Sequence, residues 1–199
     1  MAAIVVTESV TLDGVMQGPG RPDEDTRDGF RHGGWGPAYR DRVMGEVMGR
    51  GMAGTGAMLF GRRTYLDFFA SWAGRTDGNP YTEKLNGTPK YVASRTLADP
   101  LPWQNSVLLA GDATATVAEL KKELDRDLVV LGSGALVRSL AAAGLVDRFV
   151  LCVHPLVLGS GRRLFPDSGP LAGMRLVDCV PTGTGVLIAT YEPLAAETH

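Results

Sequence analysis

Two short apolar runs, Ala57 to Phe60 and Leu128 to Leu131, each end on a glycine and pass directly into a segment with helical spacing. A buried strand that feeds a helix through a glycine is the unit step of a βαβ fold, and repeating it commits a chain to a largely parallel sheet with helices between the strands. The rest of the sequence keeps the alternation. Ala3–Leu12, Tyr91–Ser94, Ser106–Ala110 and Phe149–Leu158 read as strands. Tyr39–Met52, Pro80–Asn86, Thr116–Leu124 and Ala135–Ala143 carry apolar residues at helical spacing. Near the end, Leu176–Pro181 and Val186–Glu192 flank Thr182-Gly183-Thr184-Gly185 as a hairpin. With 199 residues and neither an internal repeat nor a linker, a single α/β domain over residues 1–199 is expected.

Charge and cysteine usage narrow the function. Lys and Arg number 20 against 22 Asp and Glu, so the chain lacks the basic footprint that neutralises a nucleic-acid backbone. No apolar run approaches the roughly 18 to 20 residues that span a bilayer, and Met1–Glu8 has no basic stretch followed by an apolar leader. A soluble, cytoplasmic protein acting on a small molecule is expected, with neither a membrane nor a nucleic-acid partner. Cys152 and Cys179 both lie in strand-like apolar segments, which predicts two buried, inert thiols and no metal site.

The two strand-to-helix junctions are where a phosphate-bearing ligand would be held. A helix N-terminus presents unpaired N–H groups and the positive end of the helix dipole, and a glycine there lets a phosphate reach the backbone. At the first junction Gly61 is followed by Arg62, Arg63 and Thr64, which add forked cationic donors and a hydroxyl. At the second, Gly132, Ser133 and Gly134 supply close approach and further N–H groups. Neither is the Gly-x-Gly-x-x-Gly fingerprint.

Taken in order, Gly61-Arg62-Arg63-Thr64, Tyr91-Val92-Ala93-Ser94-Arg95-Thr96, Val129-Val130-Leu131-Gly132-Ser133-Gly134 and Leu164-Phe165-Pro166-Asp167 resemble the dihydrofolate-reductase superfamily. Thr11-Leu12-Asp13-Gly14 and His154-Pro155-Leu156-Val157-Leu158-Gly159-Ser160-Gly161-Arg162-Arg163 look most like the reductase domain of the riboflavin-biosynthesis deaminase/reductase (RibD C-terminal type) and its stand-alone relatives. The resemblance implies a three-layer fold, a mixed and mostly parallel sheet flanked by helices, with NADPH as cofactor and a homodimer as assembly. It assigns Gly61, Arg62, Arg63 and Thr64 to the pyrophosphate and adenosine side, and Ser94 and Arg95 to the 2′-phosphate. Gly132, Ser133, Gly134, Ala135 and Leu136 would cover the other face of the pyrophosphate, and the backbone of Val6, Thr7 and Val15 would approach the nicotinamide.

Several positions depart from these relatives. The arginine that holds a folate tail is replaced by Thr88, the strand threonine that pairs with the substrate carboxylate by Val153, and two lysines of the riboflavin-type enzymes by Thr7 and Val15. No His-x-Glu with a downstream Pro-Cys-x-x-Cys is present in these residues, so zinc deaminase chemistry is not expected of them.

Three carboxylates are candidate proton donors. Asp13 closes the first strand beside a turn glycine and can equally serve a turn, while Asp41 and Glu46 sit on the helix that carries the acid in folate relatives. The segment Phe30–Tyr39 combines glycines with aromatics, so His32, Trp35 and Tyr39 are candidate substrate contacts on a lid. The same residues also fit a surface loop pinned by Trp35. With the resemblance, these readings lead to the expectation of an NADPH-dependent reductase of a small heterocyclic or conjugated substrate, such as a pterin or a pyrimidine. A non-catalytic nucleotide-binding module, or one holding a flavin or another mononucleotide, is the competing expectation.

Overall fold

The computed structural model describes residues 1–165, 167–168 and 171–194. Eight strands carry the fold: Ile4–Thr11 (β1), Ala57–Gly61 (β2), Lys90–Ala93 (β3), Ser106–Leu109 (β4), Leu128–Leu131 (β5), Arg148–His154 (β6), Met174–Pro181 (β7) and Leu187–Pro193 (β8). The helices are Arg42–Gly54 (α1), Arg62–Trp72 (α2), Pro80–Gly87 (α3), Ala113–Glu123 (α4) and Gly134–Ala142 (α5). Strand order in the mixed sheet is β4-β3-β2-β5-β1-β6-β8-β7. The chain forms two compact units, residues 1–6 with 47–146 and residues 7–46 with 147–199, and the division passes through both β1 and α1.

In the first unit β2 pairs in parallel with β3 and β5, and β3 with β4. The apolar runs that define β2 and β5 are buried along almost their whole length, as strands covered on both faces must be. Helix starts obey local chemistry. Asn79 caps α3 and Asp112 caps α4, its Oδ1 accepting from the N–H of Thr114 and Ala115 at 3.0 and 2.9 Å. That cap starts α4 three residues before the apolar spacing alone would place it.

In the second unit β6 pairs antiparallel with β8, and β8 with β7. The expected hairpin forms between β7 and β8, closed by Thr182 N–H to Val186 O at 2.8 Å. β7 has a neighbour on one side only and is exposed over most of its length, because it stands last in the sheet. Cys179 is therefore exposed, which corrects the expectation of two buried thiols, while Cys152 is buried. Strand β6 stops at His154, earlier than the apolar pattern through Leu158 suggests, since Pro155 cannot donate to a ladder. Among the described residues no helix is long and apolar enough to cross a membrane, and no cluster of three or more His, Cys, Asp or Glu side chains could hold a metal.

Candidate functional site

The carboxyl ends of three parallel strands in the first unit bring together most of the residues expected to hold a cofactor. Gly61 ends β2 and lies opposite Ala93, so Ser94 and Arg95 follow at the adjacent strand end. β5 ends beside β2 and leads through Gly132 and Ser133 into α5. One side chain ties the two junctions: Ser133 Oγ accepts from the Gly61 N–H at 2.8 Å and donates to Thr64 Oγ1 at 2.9 Å.

Ser133 can do this because it adopts a left-handed backbone (φ 71°), directly after Gly132 (φ 64°). A left-handed conformation at a non-glycine residue costs on the order of 1 kcal/mol and turns consecutive N–H groups toward a common side, a shape suited to an anion. A Cβ on Gly132 would fall 2.8 Å from Thr64 Cγ2, so this position is closed to larger residues on two counts.

Neither α2 nor α5 has a side-chain cap, so their first-turn N–H groups lack the partners that α3 and α4 acquire from Asn79 and Asp112. Arg62 and Arg63 are exposed and form no ion pair among the described residues. Arg95 is exposed and helps hold the Asp112 carboxyl below its ordinary range, behind the hydrogen bonds from Thr114 and Ala115. Ser94 uses its Oγ to accept from the N–H of Thr96 and Leu97, which shapes the turn that presents Arg95.

The candidate acids of the second unit fare differently. Asp13 accepts from Thr11 Oγ1 at 2.5 Å, from Leu158 N–H at 3.3 Å and from Gly159 N–H at 2.9 Å. These bonds, led by that from Thr11, lower its pKa and tie Asp13 to the segment after β6, the turn role that the sequence also allows. Asp41 caps α1 through Met44 N–H at 2.8 Å and accepts from Gly183 N–H in the hairpin at 2.6 Å. Glu46 is exposed and pairs with Arg42 one helical turn earlier.

Val15, expected to offer its backbone to a nicotinamide, is fully buried, and both its N–H and its C=O are engaged by Thr11. Val6 is buried and Thr7 partly so, each within β1. Trp35 is pinned: its Nε1 donates to Gln17 O at 2.9 Å and its ring packs in a cluster with Val15 and Phe30. A Cβ on Gly33 would meet Pro22 O at 2.5 Å, so this glycine serves the close packing of two loop limbs. His32 is exposed at the edge of Phe30, while Tyr39 and Trp35 both meet the buried His154 edge-on, with ring centroids 5.5 and 4.9 Å away. After β6, Arg163 donates to Asp13 O at 2.8 Å; Pro166 of the Leu-Phe-Pro-Asp motif lies outside the described residues.

Residues 2–188 match the family described as the RibD C-terminal domain. The chain belongs to that family. An uncharacterized protein, YyaP, from Bacillus subtilis (strain 168) is 30% identical over 140 residues, 67% of this chain and 72% of the relative. A putative riboflavin biosynthesis protein from Shewanella sp. PV-4 has the same fold, with a TM-score of 0.67 at 20% identity, covering 97% of this chain and 99% of that one. Dihydrofolate reductase from Enterococcus faecalis, solved with NADP(H), superimposes with a TM-score of 0.61 at 12% identity over 96% of each chain. The expected dihydrofolate-reductase-like architecture is the one observed.

Two buried ionisable residues of this RibD C-terminal domain were not singled out in the sequence. Lys90 is inaccessible, and burial pulls its pKa down to about 8. Its Nζ nevertheless donates to the carbonyls of Asn86, Thr88 and Gln104 and sits 4.4 Å from the Trp103 ring centroid, so every demand of the ammonium is met by structure. Glu8 is 6% exposed, and burial with the nearby Glu24 carboxylate pushes its pKa up to about 8. The signal was present: position 8 shares the inward parity of Ile4, Val6 and Val10.

Proposed function

We propose that this RibD C-terminal domain is an NADPH-dependent reductase that transfers a hydride to a small heterocyclic or conjugated substrate. The observation that carries this reading is the pair of uncapped helix N-termini joined by Ser133, with Arg62, Arg63 and Arg95 around them. The residues fit the group: a pyrophosphate would satisfy first-turn N–H groups on α2 and α5 that no side chain caps, beside the left-handed Gly132-Ser133 pair. Arg62 and Arg63 add charge-assisted bonds to the same phosphates, and Arg95 is the residue we assign to a 2′-phosphate, hence NADPH over NADH. NADPH, when bound, supplies the hydride, and the protein contributes orientation and exclusion of water.

The test is a titration with NADPH and, separately, NADH. NADPH binding much tighter than NADH is the expected result. Arg62→Ala and Arg95→Ala should each weaken NADPH about tenfold or more, the loss of a charge-assisted bond of roughly 1.5–3 kcal/mol. Unchanged affinity in both variants removes the assignment. One observation favours the binding-module reading: Asp13, Asp41 and Glu46 are all engaged in structural contacts. Nucleotide binding without NADPH oxidation across a panel of heterocycles would select it.

The homodimer implied by the family resemblance has a candidate surface in the exposed outer edge of β7, where Leu176 and Val177 are 53% and 46% exposed. A sedimentation measurement on the protein and on Leu176→Lys tests it; a monomer in both removes the proposal.

A further inference from the structure

Three helices of the first unit start at the carboxyl ends of its parallel strands, α2 after β2, α4 after β4 and α5 after β5, and one of them starts on a carboxylate. Neither α2 nor α5 has a capping side chain or an acidic residue in its first turn. Helix α4 begins at Asp112, whose Oδ1 accepts from the N–H of Thr114 and Ala115 and from the Thr114 hydroxyl. Capping accounts for that oxygen and not for the charge. Asn79 does the same work for α3 with a neutral amide, its Oδ1 accepting from Tyr81 N–H at 2.9 Å, and the two residue types cap about equally well. The second carboxylate oxygen of the exposed Asp112 has neither a hydrogen bond nor an ion pair among the described residues.

The sheet fixes where this charge stands. β3 and β4 run parallel with Ala93 opposite Leu109, the last residue of each strand. Two residues further on, the chain reaches Arg95 after β3 and Gly111 after β4, so Asp112 opens α4 beside the arginine we assign to a 2′-phosphate. Hydrogen bonds from the Thr114 hydroxyl and from the N–H groups of Ala115 and Thr114 hold the Asp112 carboxyl below its ordinary range, and Arg95 adds a smaller pull in the same direction. No ion pair joins the two residues. Asp112 therefore does not orient the guanidinium by contact; it acts on Arg95, and on what Arg95 binds, as a charge at a distance. A phosphate monoester carries about 1.5 to 2 negative charges at neutral pH. A fixed carboxylate nearby repels it and offsets part of the Arg95 charge that attracts it. The ribose hydroxyl that NADH has at the same position is neutral and feels neither effect.

We propose that Asp112 is a specificity-determining residue of the nucleotide site, a negative charge at the start of α4 that weakens the hold of Arg95 on a 2′-phosphate and sets the NADPH preference below what the arginines alone would give. This rests on the NADPH reading, since it takes Arg95 as the 2′-phosphate residue.

The test removes the charge and keeps the cap. Asp112→Asn and Asp112→Ser both retain a capping side chain, so each should leave Tm within about 2 °C of wild type, whereas Asp112→Ala, which loses the cap, should lower it by about 2–4 °C. Titrated at about 20 mM salt, Asp112→Asn and Asp112→Ser should bind NADPH about two- to fivefold tighter than wild type, the size of one charge acting through solvent, with NADH affinity unchanged. The ratio of the NADH to the NADPH dissociation constant should rise by the same factor. At about 300 mM salt, where the Debye length is about 5–6 Å, variants and wild type should converge. A purely structural role would move both nucleotides together and show no such salt dependence. An unchanged ratio, a lower one, or a rise that persists at high salt overturns the proposal. Arg95→Ala, titrated in parallel, separates it from the reading beneath it. Weaker NADPH binding in Arg95→Ala with an unmoved ratio in Asp112→Asn removes Asp112 alone. NADPH affinity unmoved by Arg95→Ala, or no NADPH binding by the wild type, removes the 2′-phosphate assignment and Asp112 with it.

Discussion

The polar residues at the β2 and β5 ends and those after β1 are of the same short kinds, yet the two regions use them oppositely. In the first unit Ser133 bonds to Gly61 and Thr64 and does not cap α5, while α2 starts at Gly61, which has no side chain to cap with, so both helix N-termini stay uncapped. In the second, Asp13 and Asp41 accept from backbone N–H groups, those of Leu158 and Gly159 and those of Met44 and Gly183, and so tie separate segments together. Local backbone shape decides the difference. A left-handed Gly132-Ser133 pair turns N–H groups outward, whereas a strand end beside a turn gathers N–H groups onto the nearest carboxylate.

The largest effect is expected from closing the open region. Gly132→Val adds a β-branched side chain at φ 64°, with its Cβ 2.8 Å from Thr64 Cγ2. Strain and displacement of Thr64 together cost on the order of 3 kcal/mol, so NADPH affinity should fall about a hundredfold. Wild-type affinity in this variant would mean that the junction is not the nucleotide site.

The saturated region should respond in stability and not in nucleotide binding. Asp13→Ala removes three hydrogen bonds to a charged acceptor and should cost about 2–3 kcal/mol in chemical denaturation, with NADPH affinity unchanged. Asp41→Ala removes the α1 cap and the tie to Gly183 and should cost about 1–2 kcal/mol. A large loss of affinity in either variant, at intact stability, would restore these carboxylates as site residues.

The same contrast explains what could be read in the sequence. The junctions were legible because glycine, arginine and a helix start are local signals, and β5 was placed to the residue. The fate of Asp13 was not, since its N–H donors at Leu158 and Gly159 lie about 145 positions away and only the fold brings them in. Asp41 has the same history with Gly183. Cys179 was misjudged because an apolar strand pattern says nothing about whether the strand stands at an edge. Trp35 left two readings open; the pinned loop is what the contacts with Val15, Phe30 and Gln17 produce.

A further test separates two carboxyls of one short stretch, Glu8 and Asp13, by the sign of their pH dependence. Asp13 has a folded pKa below its ordinary value, so its contribution is full above the usual carboxylate range and is lost as pH falls through the depressed value. Glu8 has a folded pKa of about 8, so it stays protonated in the fold while the unfolded chain ionises. Its contribution is full below the ordinary carboxylate pKa of about 4.5 and declines until pH reaches about 8. One such group changes stability by at most about 1.4 kcal/mol per pH unit. Denaturation midpoints measured from pH 3 to 9 should therefore show a shallower acid-side fall in Asp13→Asn, with Asp25, Asp77 and Asp112 keeping the rest of it, and a shallower neutral-side decline in Glu8→Gln. If Glu8→Gln leaves the curve between pH 5 and 8 unchanged, the buried carboxyl is ionised in the fold, and its environment must supply a cation that the present structure does not.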